Sequence, residues 1–111
     1  MELKELLKFI KMENERIKKR YHNLDKEKLI LAQTVKINEE LGELYNEILN
    51  HCSLQRKEKL DNMDKKAIEE EFSDVLITTL LLAKRMGVDI EKALKERIDK
   101  INKRYENFDL R

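Results

Sequence analysis

The chain has 111 residues, of which 42% are Asp, Glu, Lys or Arg, while proline is absent and glycine occurs only twice. This composition is typical of long helices and predicts an all-α fold, and the length fits a single domain over residues 1–111. Because 24 basic residues are balanced by 23 acidic ones, the net charge of +1 gives no global field that would attract a nucleic acid polymer or an anionic membrane.

The cysteine content and the apolar runs predict the cellular compartment of the protein. The single Cys52 cannot form an internal disulfide, and the charged N-terminal stretch is too polar for a secretory signal. The longest nearly apolar run, residues 75–83, has nine residues, whereas a membrane-spanning helix needs about 20. We therefore expect a cytoplasmic protein that does not enter the membrane.

The first half of the chain predicts two helices. Apolar residues at helical spacing predict a first helix from about Glu2 to His22. Asp25 is the predicted N-cap of a second helix, which ends near Asn50. The predicted core stripe of this second helix consists of Ile37, Leu41, Leu44 and Ile48.

The second half predicts two more helices after a polar connection from His51 to Met63. Asp64 is predicted to cap a third helix that ends at Gly87, and Asp89 to cap a fourth. The apolar stripe of the fourth helix is Leu94, Ile98, Ile101, Tyr105 and Phe108. Since residues 75–83 of the third helix are apolar on nearly every side, we expect a four-helix bundle that is completed by a second subunit, as a homodimer or a higher homo-oligomer.

Two pairs of acidic residues have a spacing of three, Glu40 with Glu43 and Glu71 with Asp74. Residues three apart share one side of a helix, so two such helices packed together would bring four carboxylates to one point. Glu40 and Glu43 border the predicted core, whereas Glu39 points away from it. Carboxylates beside a core need a compensating cation, and all-oxygen ligation suits Mg²⁺ or Mn²⁺. The pattern therefore predicts a divalent metal site.

The charged residues also allow interpretations other than a Mg²⁺ or Mn²⁺ site. A Glu-Glu-x-x-Glu string would arise by chance in roughly one such Glu-rich sequence in three, and charged helix faces are often only solvated. A di-iron centre would need Glu-x-x-His pairs, which neither His22 nor His51 provides. On the fourth helix, Arg97, Lys100 and Arg104 flank the apolar stripe, either as an edge that binds a triphosphate or as ordinary surface cations.

The acidic motifs also resemble those of a known family. Glu39-Glu40-x-x-Glu43 followed by Glu71-x-x-Asp74 is similar to the EExxE and ExxD pattern of the MazG-like all-α nucleoside triphosphate pyrophosphohydrolases. The likeness covers about Leu29 to Tyr105 and includes the string from Lys100 to Tyr105 near the C-terminus.

The resemblance implies a chemistry and a role for each matching residue. It implies hydrolysis of a nucleoside triphosphate between the α and β phosphates, with Mg²⁺ or its substitute Mn²⁺, in a housecleaning role for the nucleotide pool. The implied metal ligands are Glu40, Glu43, Glu71 and Asp74. Glu39 would be an auxiliary acid, and either Glu40 or Glu43 would activate the water. Lys100 and Arg104 would hold the phosphates, and the protein would be a homodimer or homotetramer.

The sequence is also consistent with two other functions and with two roles for Gln33. Phosphoribosyl-ATP pyrophosphatase is the close alternative, since it differs in substrate but not in the bond cleaved. A non-catalytic helical interaction protein, whose acids form surface pairs, is the alternative from another class. Gln33 is either a hydrogen-bonding partner of the nucleotide base or a satisfied polar residue at a helix interface.

Overall fold

The computed structural model describes residues 1–52 and 65–106, which form four α-helices and no strand. In chain order these are α1 at Leu3–Arg20, α2 at Lys26–His51, α3 at Lys65–Arg85 and α4 at Ile90–Lys103. The predicted all-α fold is therefore confirmed. The predicted cap Asp64, residues 53–63 of the predicted connection and Phe108 lie outside the described residues. None of the four helices combines the length and hydrophobicity needed to cross a membrane.

Two aspartates fix the starts of α2 and α4, as the sequence predicts. The carboxylate of Asp25 accepts a hydrogen bond from the backbone N–H of Lys28 at 2.9 Å. The carboxylate of Asp89 accepts one from the backbone N–H of Lys92 at 3.2 Å. Each bond satisfies a backbone donor that has no partner within the first turn of its helix, and this sets where the helix begins.

Gly87 ends α3 and turns the chain into α4. Its φ of +75° lies in the left-handed region that glycine adopts without steric cost. Its N–H donates to the carbonyl of Lys84 at 3.0 Å, and the N–H of Val88 donates to the carbonyl of Ala83 at 2.9 Å. This pair of bonds is the Schellman motif, which satisfies the last carbonyls of a helix.

The central helix is α3, which packs against each of the other three helices. The buried apolar residues in the described part of the chain are Ile10 of α1, Leu29 and Leu44 of α2, and Leu81 of α3. This arrangement explains why α3 is apolar over so much of its circumference. The coverage is nevertheless incomplete, because Phe72 and Leu76 of α3 remain 50% and 64% exposed.

The first three helices also meet at a group of polar side chains, here called the polar junction, which consists of Asn14, Gln33 and Arg85. Gln33 donates from Nε2 to Oδ1 of Asn14 at 3.1 Å. Arg85 donates from Nε to Oε1 of Gln33 at 2.9 Å. Gln33 is therefore a hydrogen-bonded polar residue at a helix interface, where its amide uses one N–H donor and one acceptor site.

The buried face of α2 differs from the predicted core stripe. Its buried residues are Leu29, Gln33, Glu40 and Leu44, whereas Ile37, Leu41 and Ile48 are only half-buried. The centre of the buried face is rotated by about 60° from the prediction, because α3 packs against that side. The prediction that Glu40 only borders the core is therefore wrong, since Glu40 lies within the buried face.

Helix α4 is the least covered of the four. Every residue from 91 to 106 is exposed, and the apolar side chains of Leu94 and Ile98 are 45% and 54% exposed. Among the described helices α4 packs mainly against α3, and only sparsely. The described residues of the predicted apolar stripe, Leu94, Ile98, Ile101 and Tyr105, are therefore exposed in the single chain.

Candidate metal centre

Three of the four predicted metal ligands come together between α2 and α3. One carboxylate oxygen from each of Glu40, Glu43 and Glu71 lies within 4.8 Å of the other two. Glu40 and Glu43 are one turn apart on α2, and α2 packs along α3, which carries Glu71. We refer to these three residues as the acidic cluster. Glu40 is 6% exposed, so the acidic cluster holds at least one carboxyl group away from solvent.

Asp74 lies beside the acidic cluster, one turn along α3 from Glu71. Loss of solvation, followed by the negative charges of Glu40 and Glu70, raises the pKa of Asp74, while the positive charge of Lys36 lowers it. The carboxyl group is exposed and outside the grouping of three close oxygens. Asp74 is therefore placed to join the cluster from the side of Glu40.

Two oxygens of the acidic cluster are buried without a hydrogen-bond donor, Oε2 of Glu40 and Oε2 of Glu71. Loss of solvation, then the charges of Glu43 and Glu40, raise the pKa of Glu71 above its ordinary value of 4.5. Buried carboxylate oxygens without a donor or a cation are unfavourable and uncommon in folded proteins. These two atoms are therefore available to coordinate a cation.

A lysine that the sequence analysis did not single out lies against the cluster. Nζ of Lys36 is 3.2 Å from Oε1 of Glu40 and 3.5 Å from Oε2 of Glu39. These contacts raise the pKa of Lys36, with the hydrogen bond to Glu40 as the largest cause. The signal in the sequence is a lysine four residues before a glutamate, a spacing at which helical side chains meet.

The other predicted site residues lie away from the acidic cluster. The side chain of Glu39 is 58% exposed and contacts Lys36 instead of the other acids. Lys100 and Arg104 are exposed on α4 and at its C-cap, and within residues 1–52 and 65–106 neither forms an ion pair with the cluster. Their roles as an auxiliary acid and as phosphate-binding residues stay predictions.

A cavity of about 370 Å³ opens next to the acids, between α1, α2 and α3. Glu40, Asp74 and Lys36 line one part of it, and apolar side chains such as Ile17 and Leu29 line another. Ligand-binding cavities typically have volumes of about 300 to 1,000 Å³ and combine an apolar lining with a few polar groups. Glu13 and Arg20 of α1 also line this cavity, so it is suited to a small molecule that has both charged and apolar parts.

The donor atoms of the cluster determine which cation it could hold. The grouping contains carboxylates and, in the part of the chain that the structure describes, no histidine or cysteine. Hard divalent cations such as Mg²⁺ and Mn²⁺ prefer oxygen ligands, whereas Zn²⁺ and di-iron centres commonly include histidine. The acidic cluster thus fits Mg²⁺ or Mn²⁺ better than these other metals.

Comparison with known proteins agrees with the all-α fold. The profile of the MazG-like family matches residues 31–109, a range that contains all four predicted ligands. The Bacillus subtilis (strain 168) protein described as "Uncharacterized protein YpjD" is 38% identical over 74 residues, which cover 67% of this chain. The chain matches only 65% of the length of that relative. No solved structure matches.

Proposed function

Since the chain belongs to the MazG-like family, we propose that it is a Mg²⁺-dependent nucleoside triphosphate pyrophosphohydrolase. It would cleave between the α and β phosphates and release a nucleoside monophosphate and pyrophosphate. The observation that carries the proposal is that Oε2 of Glu40 and Oε2 of Glu71 are buried without a donor inside one acidic cluster. Such a reaction would serve to clear unwanted nucleotides from the cellular pool.

The proposed metal ligands are Glu40, Glu43, Glu71 and Asp74. The first three already have carboxylate oxygens within 4.8 Å of one another. Bound there, Mg²⁺ would neutralise phosphate charge and polarise a water molecule, and Mn²⁺ could replace it. The raised pKa values of Glu71 and Asp74 support the proposal, because a cation would relieve the repulsion that contributes to both shifts.

The residues of the chain would then position the reacting groups. The oxygen of a water molecule forms a bond to the α phosphorus, the bond from that phosphorus to the bridging oxygen breaks, and pyrophosphate leaves. Glu40 or Glu43 would orient the water and take its proton. Glu39 would serve as an auxiliary acid beside them, and Lys100 and Arg104 would bind phosphate oxygens.

We also propose that the active protein is a homodimer or homotetramer. The support is the exposed apolar surface that one chain leaves uncovered, at Phe72 and Leu76 of α3 and along α4. Burial of such surface against a second copy is the usual means of covering it. Lys100 and Arg104 flank the apolar stripe of α4, so assembly through this helix offers a route by which they could approach the acids of a neighbouring copy.

The proposed reaction can be tested by measuring pyrophosphate release from a panel of canonical, deoxy and damaged nucleoside triphosphates, with Mg²⁺, Mn²⁺ or EDTA. We expect metal-dependent release from at least one member. Glu40→Gln and Asp74→Asn should lower the rate to below about 1% of wild type, because each removes a carboxylate ligand of the metal that would neutralise the charge of the phosphates. Glu27→Gln, an exposed acid at the start of α2, is the matched control.

Circular dichroism of each variant must show intact helices for the comparison to hold. Normal turnover by both Glu40→Gln and Asp74→Asn would contradict the proposed site. Activity on phosphoribosyl-ATP alone would reassign the substrate, and a protein that neither binds Mg²⁺ nor releases pyrophosphate would be a non-catalytic helical module.

A further inference from the structure

Lys36 stands where the acidic cluster meets the cavity between α1, α2 and α3. Its ammonium group is 3.2 Å from Oε1 of Glu40, and its side chain lines the cavity together with Glu40 and Asp74. Its side chain remains 54% exposed, so the ammonium group has room to change partners. Lys36 is thus a partly exposed cation next to the place proposed for the metal.

The cavity beside Lys36 indicates where a ligand would lie. Near the acidic cluster the charged lining is formed by Glu40, Asp74 and Lys36. Glu13 and Arg20 of α1 also line the cavity, and its apolar lining includes Ile17, Leu29 and Ile77. A nucleotide would place its phosphates at the charged part, near the metal ligands, and its less polar nucleoside in the rest of the cavity. Its phosphate chain would then pass the ammonium group of Lys36.

We propose that Lys36 binds the phosphate chain of the substrate where the chain passes from the acidic cluster into this cavity. The inference rests on the proposed function and deepens it by assigning a phosphate-binding residue within a single chain. Glu40 and Glu39 hold the ammonium group close to the site before the substrate arrives. When a cation takes over the charge of Glu40, the three N–H donors of Lys36 become available to phosphate oxygens.

The chemistry of the lysine side chain supports this exchange of partners. The ion pair joins an exposed lysine to the buried carboxylate of Glu40, so a phosphate contact would replace it once a cation has taken over the charge of that carboxylate. A lysine ammonium is a compact charge on a flexible stem and can follow a phosphate oxygen over several ångströms. The contact that would replace the pair is also a hydrogen bond between charged groups, and a phosphate chain offers several charged oxygens where Glu40 offers one carboxylate.

The test compares Lys36→Met with wild type in two calorimetric titrations, neither of which requires turnover. The first titrates Mg²⁺ alone, and the second titrates inorganic tripolyphosphate, a probe that lacks a base, at saturating Mg²⁺. We expect Lys36→Met to bind Mg²⁺ at least as tightly as wild type, since it loses a competitor for Glu40. It should bind tripolyphosphate about 10- to 100-fold more weakly.

Two further variants separate a phosphate contact from a purely structural role. Lys36→Arg keeps the charge and the donors and should restore part of the affinity for tripolyphosphate. Lys28→Met removes an exposed lysine two turns earlier on α2 and should match wild type in both titrations.

Unchanged tripolyphosphate affinity in Lys36→Met would overturn the inference and leave the proposed function standing. Equal weakening of Mg²⁺ and tripolyphosphate binding would also overturn it, because Lys36 would then serve only to support Glu40. A wild-type protein that binds neither Mg²⁺ nor tripolyphosphate would overturn the proposed function together with this inference.

Discussion

The side-chain amide of Asn14 in α1 donates a 2.9 Å hydrogen bond to the backbone carbonyl of Leu81 in α3, although 67 residues separate the two in the sequence. Oδ1 of the same side chain accepts from Gln33 at 3.1 Å and from Arg85 at 3.3 Å. Asn14 is buried, so these bonds replace contacts with water. One amide therefore links α1 to both α2 and α3 beside the cavity.

Asn14→Ala should destabilise the protein by about 1 to 3 kcal/mol, because it leaves the buried amide N–H of Gln33 without its acceptor. Arg85 would lose one acceptor and keep its 2.9 Å bond to the backbone carbonyl of residue 14. Urea unfolding at a fixed protein concentration measures the change. Glu15→Ala, at the exposed neighbouring position of α1, should stay within about 0.5 kcal/mol of wild type. Equal stability of the two variants would show that the polar junction contributes nothing to folding.

Substitution of Glu39 and of Glu40 should affect the stabilisation by Mg²⁺ differently, because Glu40 is buried in the acidic cluster and Glu39 is exposed outside it. At a Mg²⁺ concentration about 100 times the dissociation constant, wild type should gain about 2.7 kcal/mol of stability. Glu39→Gln should retain most of this gain, and Glu40→Gln should lose most of it. The measurement is the melting temperature of each protein with Mg²⁺ and with EDTA.

The same Mg²⁺ response in both variants would mean that the cluster is not the metal site. A loss of the response in Glu39→Gln alone would move the site to the exposed side of α2.

The metal-free protein should lose stability as pH rises through the titration range of Glu71 and Asp74. Their pKa values in the folded state are raised above the ordinary values of 4.5 and 3.8. A carboxyl group with a raised pKa binds more protons in the folded state than in the unfolded state, so its contribution to the free energy of unfolding decreases from its ordinary pKa upwards. Mg²⁺ should oppose this decrease, since it binds the deprotonated ligands and binds more tightly as pH rises.

Urea midpoints in EDTA, measured from about pH 4 to about pH 7, would reveal this contribution as a difference between wild type and Glu71→Gln. The variant has no carboxyl group at this position, so its stability should decline less with pH. Identical pH dependence of the two proteins would show that Glu71 titrates normally in the folded state.

Ile98→Asp should break the proposed oligomer, because it places a charge in the middle of the exposed apolar stripe of α4. Light scattering of wild type should give at least twice the chain mass of 13.4 kDa, and the variant should approach that single mass. Glu96→Lys, about 160° around the helix from Ile98, should assemble like wild type. A monomeric wild-type protein at micromolar concentration would contradict the proposed assembly.

The helices and their ends could be predicted from the sequence because the forces that set them act over a few residues. Asp25 and Asp89 cap the first turns of α2 and α4, and Gly87 supplies the left-handed conformation that ends α3. The spacing of Glu40 and Glu43 likewise places both on one side of α2 whatever surrounds it. The all-α class and the acidic pairs follow from such local rules.

The tertiary structure decided which faces meet. Packing against α3 buries Glu40 within the core face of α2, brings Glu71 to within 4.8 Å of it and leaves Asp74 at the side. It also encloses Asn14 and opens the cavity that Lys36 lines. The physical reason is that helical periodicity defines the faces of one helix, whereas the partner of each face depends on contacts between residues far apart in the chain.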